Sequence, residues 1–255
     1  MPMERKAQPF LIQLFDLTLV QLSNWRWSWR SLLIASTVTP ILSMVALGVF
    51  AGSSDPQTLG YILVGNLVLA LMFGTLNKVS NNFAFMRARG MLQFFAALPI
   101  QSSSLVLATV IAFFLLALPS VFVTLAFGVF YFRLPVHLSP LLPLVLLLAS
   151  AALSGLGAII GARARDPEEA NAISLLTTLV LMGIGPVIVP PEQLPPALRI
   201  LGLFSPATYA ASALRQVLLG PQTPRLALDL AALSLFALLA LGWVERRLSW
   251  RQSDT

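Results

Sequence analysis

Six long apolar stretches alternate with short polar or proline-rich gaps along the chain, at about residues 32–51, 59–76, 105–132, 138–161, 172–189 and 226–244. Crossing the roughly 30 Å of hydrocarbon in a bilayer takes roughly 20 helical residues, so each stretch predicts one membrane-spanning helix. Six crossings place both chain ends on one side. The third stretch is long for a straight crossing, and Pro119 within it removes a backbone donor and predicts a kink.

Two further segments are apolar without being spans. Ahead of the first span, F-L-I-Q-L-F-D-L-T-L-V-Q-L-S-N carries Gln13, Asp16 and Asn24 among leucines and phenylalanines, and W-R-W-S-W-R follows at once. Sparse polar positions ending in tryptophan and arginine predict a helix along the membrane surface, anchored at headgroup level. After the fifth span, G-P-V-I-V-P-P-E-Q-L-P-P contains Pro186 and Glu192 and breaks the helix. Ser205 and Pro206 then read as the N-cap and first residue of a short helix that carries Tyr209 and stops near Leu219, before Gly220 and Pro221. A segment this apolar is expected to dip back into the outer leaflet, its freed backbone groups buried in protein or facing water. The expected fold is an all-α membrane protein in which residues 1–255 form a single transmembrane domain. It has six spans, an N-terminal interfacial helix and a re-entrant outer helical segment between spans five and six.

Composition fits a bilayer. Hydrophobic residues make up 57% of the chain and charged residues only 10%, too few for an ordinary soluble surface. The net charge of +6 then reads as cytoplasmic flanks facing anionic lipid, not as a nucleic-acid surface. Placing the N-terminus inside assigns Arg5, Lys6, Arg26, Arg30, Lys78, Arg87, Arg89, Arg163, Arg165, Arg246, Arg247 and Arg251 to the cytoplasmic side. Only Arg133, Arg199, Arg215 and Arg225 remain outside, so twelve of the sixteen basic residues favour cytoplasmic termini. The start M-P-M-E-R-K shows no signal-peptide pattern, and the first span is expected to direct insertion. The chain has no cysteine, which excludes disulfides, thiolate metal sites and cysteine nucleophiles.

The expected spans hold no Asp, Glu, Lys or Arg near a midplane, Asp229 coming closest near an end, which argues against ion-coupled transport. The single histidine, His137, falls in an outside loop, and one histidine alone builds neither a metal site nor an intramembrane hydrolase. Glu168 and Glu169 beside Asp166 read as a solvated acidic turn. Catalytic and metal-binding residues are therefore expected to be absent. No G-x-x-x-x-G-K-[ST] phosphate loop is present, so energy for active transport must come from a separate subunit.

Some polar residues do fall at helical spacing. Ser36, Thr39 and Ser43 follow one another in the first span, Asn66 sits mid-span in the second, and Asn171, Ser174 and Thr178 share a face of the fifth. Two readings stand: they line a passage, or they bond their own backbone and neighbouring helices. In the fourth span Ser150, Ser154, Gly157 and Gly161 form a small-residue stripe that predicts close helix packing.

Between spans two and three, residues 82–99 place Phe83, Met86, Phe94 and Leu98 near helical spacing with Arg87, Arg89 and Gln93 interleaved. Such a helix rests on the inner membrane surface and shows charge to the cytoplasm. The pattern R-A-R-G followed by L-Q-F-F-A-A-L-P resembles the cytoplasmic coupling segment of ABC type-2 transporter permeases, the class that includes drug, lipid-linked glycan and oligosaccharide exporters. Further on, R-A-R-D-P-E-E-A-N-A-I-S-L-L, G-I-G-P-V-I-V-P-P-E-Q-L-P-P-A-L-R and F-S-P-A-T-Y-A-A-S-A-L-R-Q-V-L-L-G are similar, in that order, to the family's fourth loop, fifth span and outer helix. Met86 and Ala88 stand where relatives often carry acidic residues beside the first arginine.

The resemblance implies a permease subunit in a bacterial inner membrane that pairs with a second copy, as a homodimer. It would rest a coupling helix between spans two and three, and the surface helix, on a cytoplasmic ATP-binding subunit. It carries the ATPase contact onto Arg87, Arg89, Gly90 and Gln93, and a pathway onto spans one, two and five. ATP and magnesium would reside on the partner, with no cofactor in this chain. Few aromatic residues among the polar candidates favour a drug, lipid-like or amphiphilic cargo over a glycan, because sugar chains are often held by stacked rings. A membrane anchor or assembly subunit that moves nothing is the rival reading.

Overall fold

The computed structural model describes residues 9–25, 29–51, 56–98 and 100–247. Arg5, Lys6, Arg26, Trp27 and Arg251, and with them the middle of the tryptophan–arginine anchor, lie outside the described residues, as does Pro99. Eleven α-helices follow in order: α1 (Phe10–Trp25), α2 (Trp29–Ala51), α3 (Pro56–Gly74), α4 (Leu76–Ala88), α5 (Met91–Ala96), α6 (Ser102–Phe132), α7 (Leu142–Arg163), α8 (Pro167–Ile184), α9 (Pro196–Gly202), α10 (Pro206–Leu218) and α11 (Arg225–Arg247). One 3-10 turn, Pro191–Gln193, precedes α9. Among the described residues, four helical rods are long and apolar enough to cross a membrane: α3 continued by α4, α6, α7 and α11.

The expected boundaries shift where local chemistry overrides the apolar pattern. The second span does not stop at residue 76. Nothing between Thr75 and Ala88 breaks a helix, and the ladder passes through Thr75, whose N–H donates to Leu71 O and whose carbonyl accepts from Val79 N, both at 2.8 Å. Hence α3 and α4 form one 33-residue rod. The fourth helix starts at Leu142, since Pro135 and Pro140 keep the chain before it irregular. The fifth starts earlier, at Pro167, because Asp166 caps it by accepting from Glu169 N at 2.8 Å. It ends at Ile184, where Gly185 and Pro186 leave helical geometry. In this exposed acidic turn Glu169 joins the cap, its carboxylate accepting from Arg165 N at 2.7 Å. Through Pro119, α6 continues as a single 31-residue helix.

The small-residue stripe of α7 decides the packing at the centre. A Cβ on Gly157 would lie 2.2 Å from Leu76 O, and one on Gly161 would lie 2.2 Å from Ser80 O, so only glycine lets the α4 backbone come this close. Ser150 and Ser154 are fully buried on the same helix. In lipid, apolar surface alone does not drive helices together, and such close van der Waals approach supplies the association. Around α7 sit α4, α11 and α10; α2 and α6 flank α3, and α1 lies along α6. The main core gathers Leu63, Leu67, Leu71, Leu153 and Leu214, with Met44 from α2.

Helix α1 is turned with its polar stripe inward. Gln13, Leu17 and Gln21, four residues apart, are buried, while Leu11, Phe15 and Leu19 are exposed. Gln13 Oε1 accepts from Gln101 N at 3.0 Å and Ser104 Oγ at 3.3 Å, satisfying donors at the start of α6. Gln21 Nε2 donates to Thr109 Oγ1 at 3.1 Å.

Candidate translocation and coupling sites

A cavity of about 300 Å³, lined by polar and apolar groups, opens where α2, α4 and α8 converge. Ser36 and Thr39, one turn apart on α2, form one wall; Asn77, Lys78 and Asn81 of α4 form a second; Asn171 and Leu175 of α8 form a third, with Phe73 of α3 beside them. Of the seven residues proposed for a pathway, the structure brings Ser36, Thr39 and Asn171 together here. Asn77 Nδ2 donates to Thr178 Oγ1 at 3.3 Å, and Thr178 Oγ1 donates to Ser174 O at 2.9 Å. Ser174 and Thr178 are thus fully buried in the α4–α8 contact, and Asn77 Oδ1 is buried with no hydrogen-bond partner. Asn66 also lies away from the cavity lining. It is fully buried, its Nδ2 donating to Ile62 O at 2.8 Å. Ser43 is half-buried and lies one turn beyond the α2 wall.

Sequence reading missed Asn77, Lys78 and Asn81. The apolar run fades at residue 76, so the next turn looks like a cytoplasmic flank; the uninterrupted rod keeps it inside the bundle. The available signal was N-K-V-S-N-N itself, three carboxamides and a lysine with no helix breaker around them.

At the end of α4 the chain turns. Gly90 has φ +68°, and a Cβ there would meet nothing nearer than Gln93 Oε1 at 3.7 Å, so backbone conformation, not space, selects glycine. The expected coupling segment is therefore two pieces, the end of α4 and the short α5, instead of one helix over residues 82–99. Arg87 Nη1 donates to Ala162 O at 2.8 Å and to Ala164 O at 3.3 Å. This contact satisfies carbonyls at the C-terminus of α7 and ties the end of α4 to the α7–α8 connection. Arg89 is exposed, its guanidinium 4.6 Å from the Phe85 ring centroid, and Gln93 is exposed on α5. A second cavity of about 420 Å³ lies between α1, α4 and α5, lined by Gln21, Asn24, Asn82, Met86 and Phe95 among others; Asn81 lines both cavities.

The outer segment is packed, not free. Pro186 follows the end of α8 and Glu192 sits exposed in the 3-10 turn, its carbonyl accepting from Arg199 Nη2 at 3.1 Å. Pro206 begins α10 and is buried. Ser205 takes the N-cap position, but its hydroxyl makes no capping bond and is buried without a partner. Tyr209 donates its hydroxyl to Leu203 O at 2.8 Å. On α10 most residues are buried, against α11, α7 and α3. Gln216 Nε2 donates to the buried Asp229 at 3.0 Å, fixing α10 to α11.

The model of the ABC-2 type transporter family matches residues 13–219, most of the chain and all three helices that wall the cavity. The chain belongs to the ABC-2 type transporter family. It is a membrane-embedded permease component of an ABC transporter, and permeases of this family generally work with an ATP-binding subunit. No curated protein matches this chain.

Proposed function

We propose that this ABC-2 permease is the membrane half of an ATP-driven exporter, with two copies forming the route and cytoplasmic ATP-binding subunits driving it. Helices α2 and α8 cross together with the four apolar rods, both termini are cytoplasmic, and α1 lies at the inner membrane surface. The observation that carries this reading is the cavity between α2, α4 and α8. Polar groups from three helices converge there beside the rod that runs directly into the coupling segment. Movement of α5 therefore reaches the cavity across the short Arg89–Gly90 turn and along α4. Through Arg87 the same movement reaches α7 and the start of α8, the third wall. Arg89, Gln93 and the Gly90 turn form the surface offered to the partner; Arg87 positions that surface. The cargo is an amphiphile, because Phe73 and Leu175 share the lining with hydroxyls and carboxamides.

The test is ATP hydrolysis by the complex purified from its native membrane and reconstituted in vesicles, titrated with amphiphiles of varied headgroup. Stimulation by a subset of them, with its half-maximal concentration raised severalfold by Asn171→Ala or Thr39→Ala, is expected. Hydrolysis indifferent to every amphiphile would instead favour a membrane anchor that moves no cargo.

A further inference from the structure

We infer that the cavity of about 420 Å³ between α1, α4 and α5 binds an organic cation through a primary ammonium group. Among the described residues its lining holds four carboxamides, two thioethers and two phenyl rings, with no charged side chain. Which end of each carboxamide is taken decides the ligand. Gln21 Nε2 donates to Thr109 Oγ1 at 3.1 Å, and Thr109 Oγ1 gives its own proton to Leu105 O at 2.8 Å. That hydroxyl can therefore only accept, which fixes the Gln21 amide in this sense. Asn82 Nδ2 lies 3.4 Å from Met86 Sδ, and a thioether has no proton to give. Asn81 Nδ2 donates to Pro167 O at 3.5 Å. In all three the nitrogen faces an acceptor, and no hydrogen bond among the described residues reaches the carboxamide oxygen. Gln21 and Asn82 are only 3% and 8% exposed, so the cavity is where their oxygens can meet a donor.

Carboxamide oxygens, thioether sulfurs and ring faces are all electron-rich, and an ammonium brings them three protons and a charge. An anion would meet lone pairs and ring faces. A hydroxyl offers one proton and adds lone pairs of its own, and a quaternary ammonium would leave the oxygens without a donor. The basic residues nearby in sequence do not fill this role. Arg87 is bonded to the α7 carbonyls, Lys78 lines the other cavity, and Arg89 is exposed, where water and salt screen its charge. Arg89 also shows a lining ring taking a cation, its guanidinium 4.6 Å from the Phe85 ring centroid. Phe95, 8% exposed and in edge contact with Phe94, is the second ring, and with Met86 and Met91 it receives the organic body of the ligand. Apart from Asn81 this site shares no lining residue with the α2–α4–α8 cavity, and it does not rest on the export reading.

The experiment measures binding of tritiated phenylbutylamine to the full chain with its accompanying subunits in phosphatidylcholine nanodiscs, without ATP. Unlabelled phenylbutylamine, phenylbutanol and phenylbutyltrimethylammonium compete, sharing one body and differing in the head. The primary amine is expected to displace the label at about tenfold lower concentration than either of the others. Asn24→Asp, at an exposed lining position where folding is not at stake, should tighten amine binding severalfold by adding a carboxylate. Asn82→Leu gives up only the contact with a thioether and should weaken amine binding about tenfold. Competition by the alcohol or the quaternary ammonium as strong as by the amine, or binding indifferent to both substitutions, would overturn the assignment. Discs that contain phosphatidylethanolamine distinguish the source of the ammonium. Suppressed amine binding there supports the site with an aminolipid headgroup in it, and undiminished binding supports it with a soluble amine. Because binding needs neither ATP nor transport, failure of the export reading would appear separately.

Discussion

Helices α7 and α8 carry polar or small residues at nearly the same spacing and put them to opposite uses. On α7, Ser150, Ser154, Gly157 and Gly161 are buried, and the two glycines admit the α4 backbone. On α8, Ser174 and Thr178 are spent on contact with α4, while Asn171, one turn earlier, is exposed at the cavity. Spacing alone does not separate packing from lining. Side-chain size and position along the helix do: a glycine or serine can vanish into a helix interface, whereas an asparagine beside the membrane boundary reaches past it.

Enlarging the α7 stripe should produce the largest effect. Gly157→Leu or Gly161→Leu forces a side chain into the α4 backbone, where overpacking typically costs about 1–3 kcal/mol or more. The expected result is loss of most folded protein in detergent, read by thermal stability on size-exclusion chromatography. Unchanged stability would mean that α4 and α7 are not in this contact. A smaller loss, about 1–2 kcal/mol, is expected for Asn77→Leu, which removes the bond to Thr178 yet also relieves the unpartnered Oδ1; Thr178→Val should overlap with it in a double-mutant cycle. Additive losses would contradict the bridge. Asn171→Ala should leave stability within about 0.5 kcal/mol and weaken only cargo-dependent behaviour. Arg87→Ala removes the two bonds to carbonyls at the end of α7 and should reduce the amphiphile stimulation of ATPase activity without releasing the partner.

Much of the architecture was legible from apolar run length: every expected span has a helix over most of its extent. Boundaries were less so, because Asp166 capping and the unbroken turn at Thr75 act over three or four residues that hydropathy averages away. The turn between α4 and α5 was visible through Gly90, yet the sequence does not show that Arg87 turns inward to the α7 carbonyls. For the cavity, Ser36, Thr39 and Asn171 were legible from helical spacing. Asn77, Lys78 and Asn81 were not, since a lysine after an apolar run reads equally as a cytoplasmic flank. Asn66, central in its span, looks like pathway by position and is buried against its own helix.

A permease driven by a separate subunit must receive that drive at the α4–α5 turn. The most direct test is to isolate the chain from native membranes in mild detergent, and to identify what accompanies the wild type and the Arg89→Glu/Gln93→Glu variant at matched expression. Both substituted positions are exposed, so the variant should fold. A phosphate-loop ATPase is expected with the wild type and its loss from the variant. An intact wild-type protein that repeatedly brings down no ATPase would contradict it.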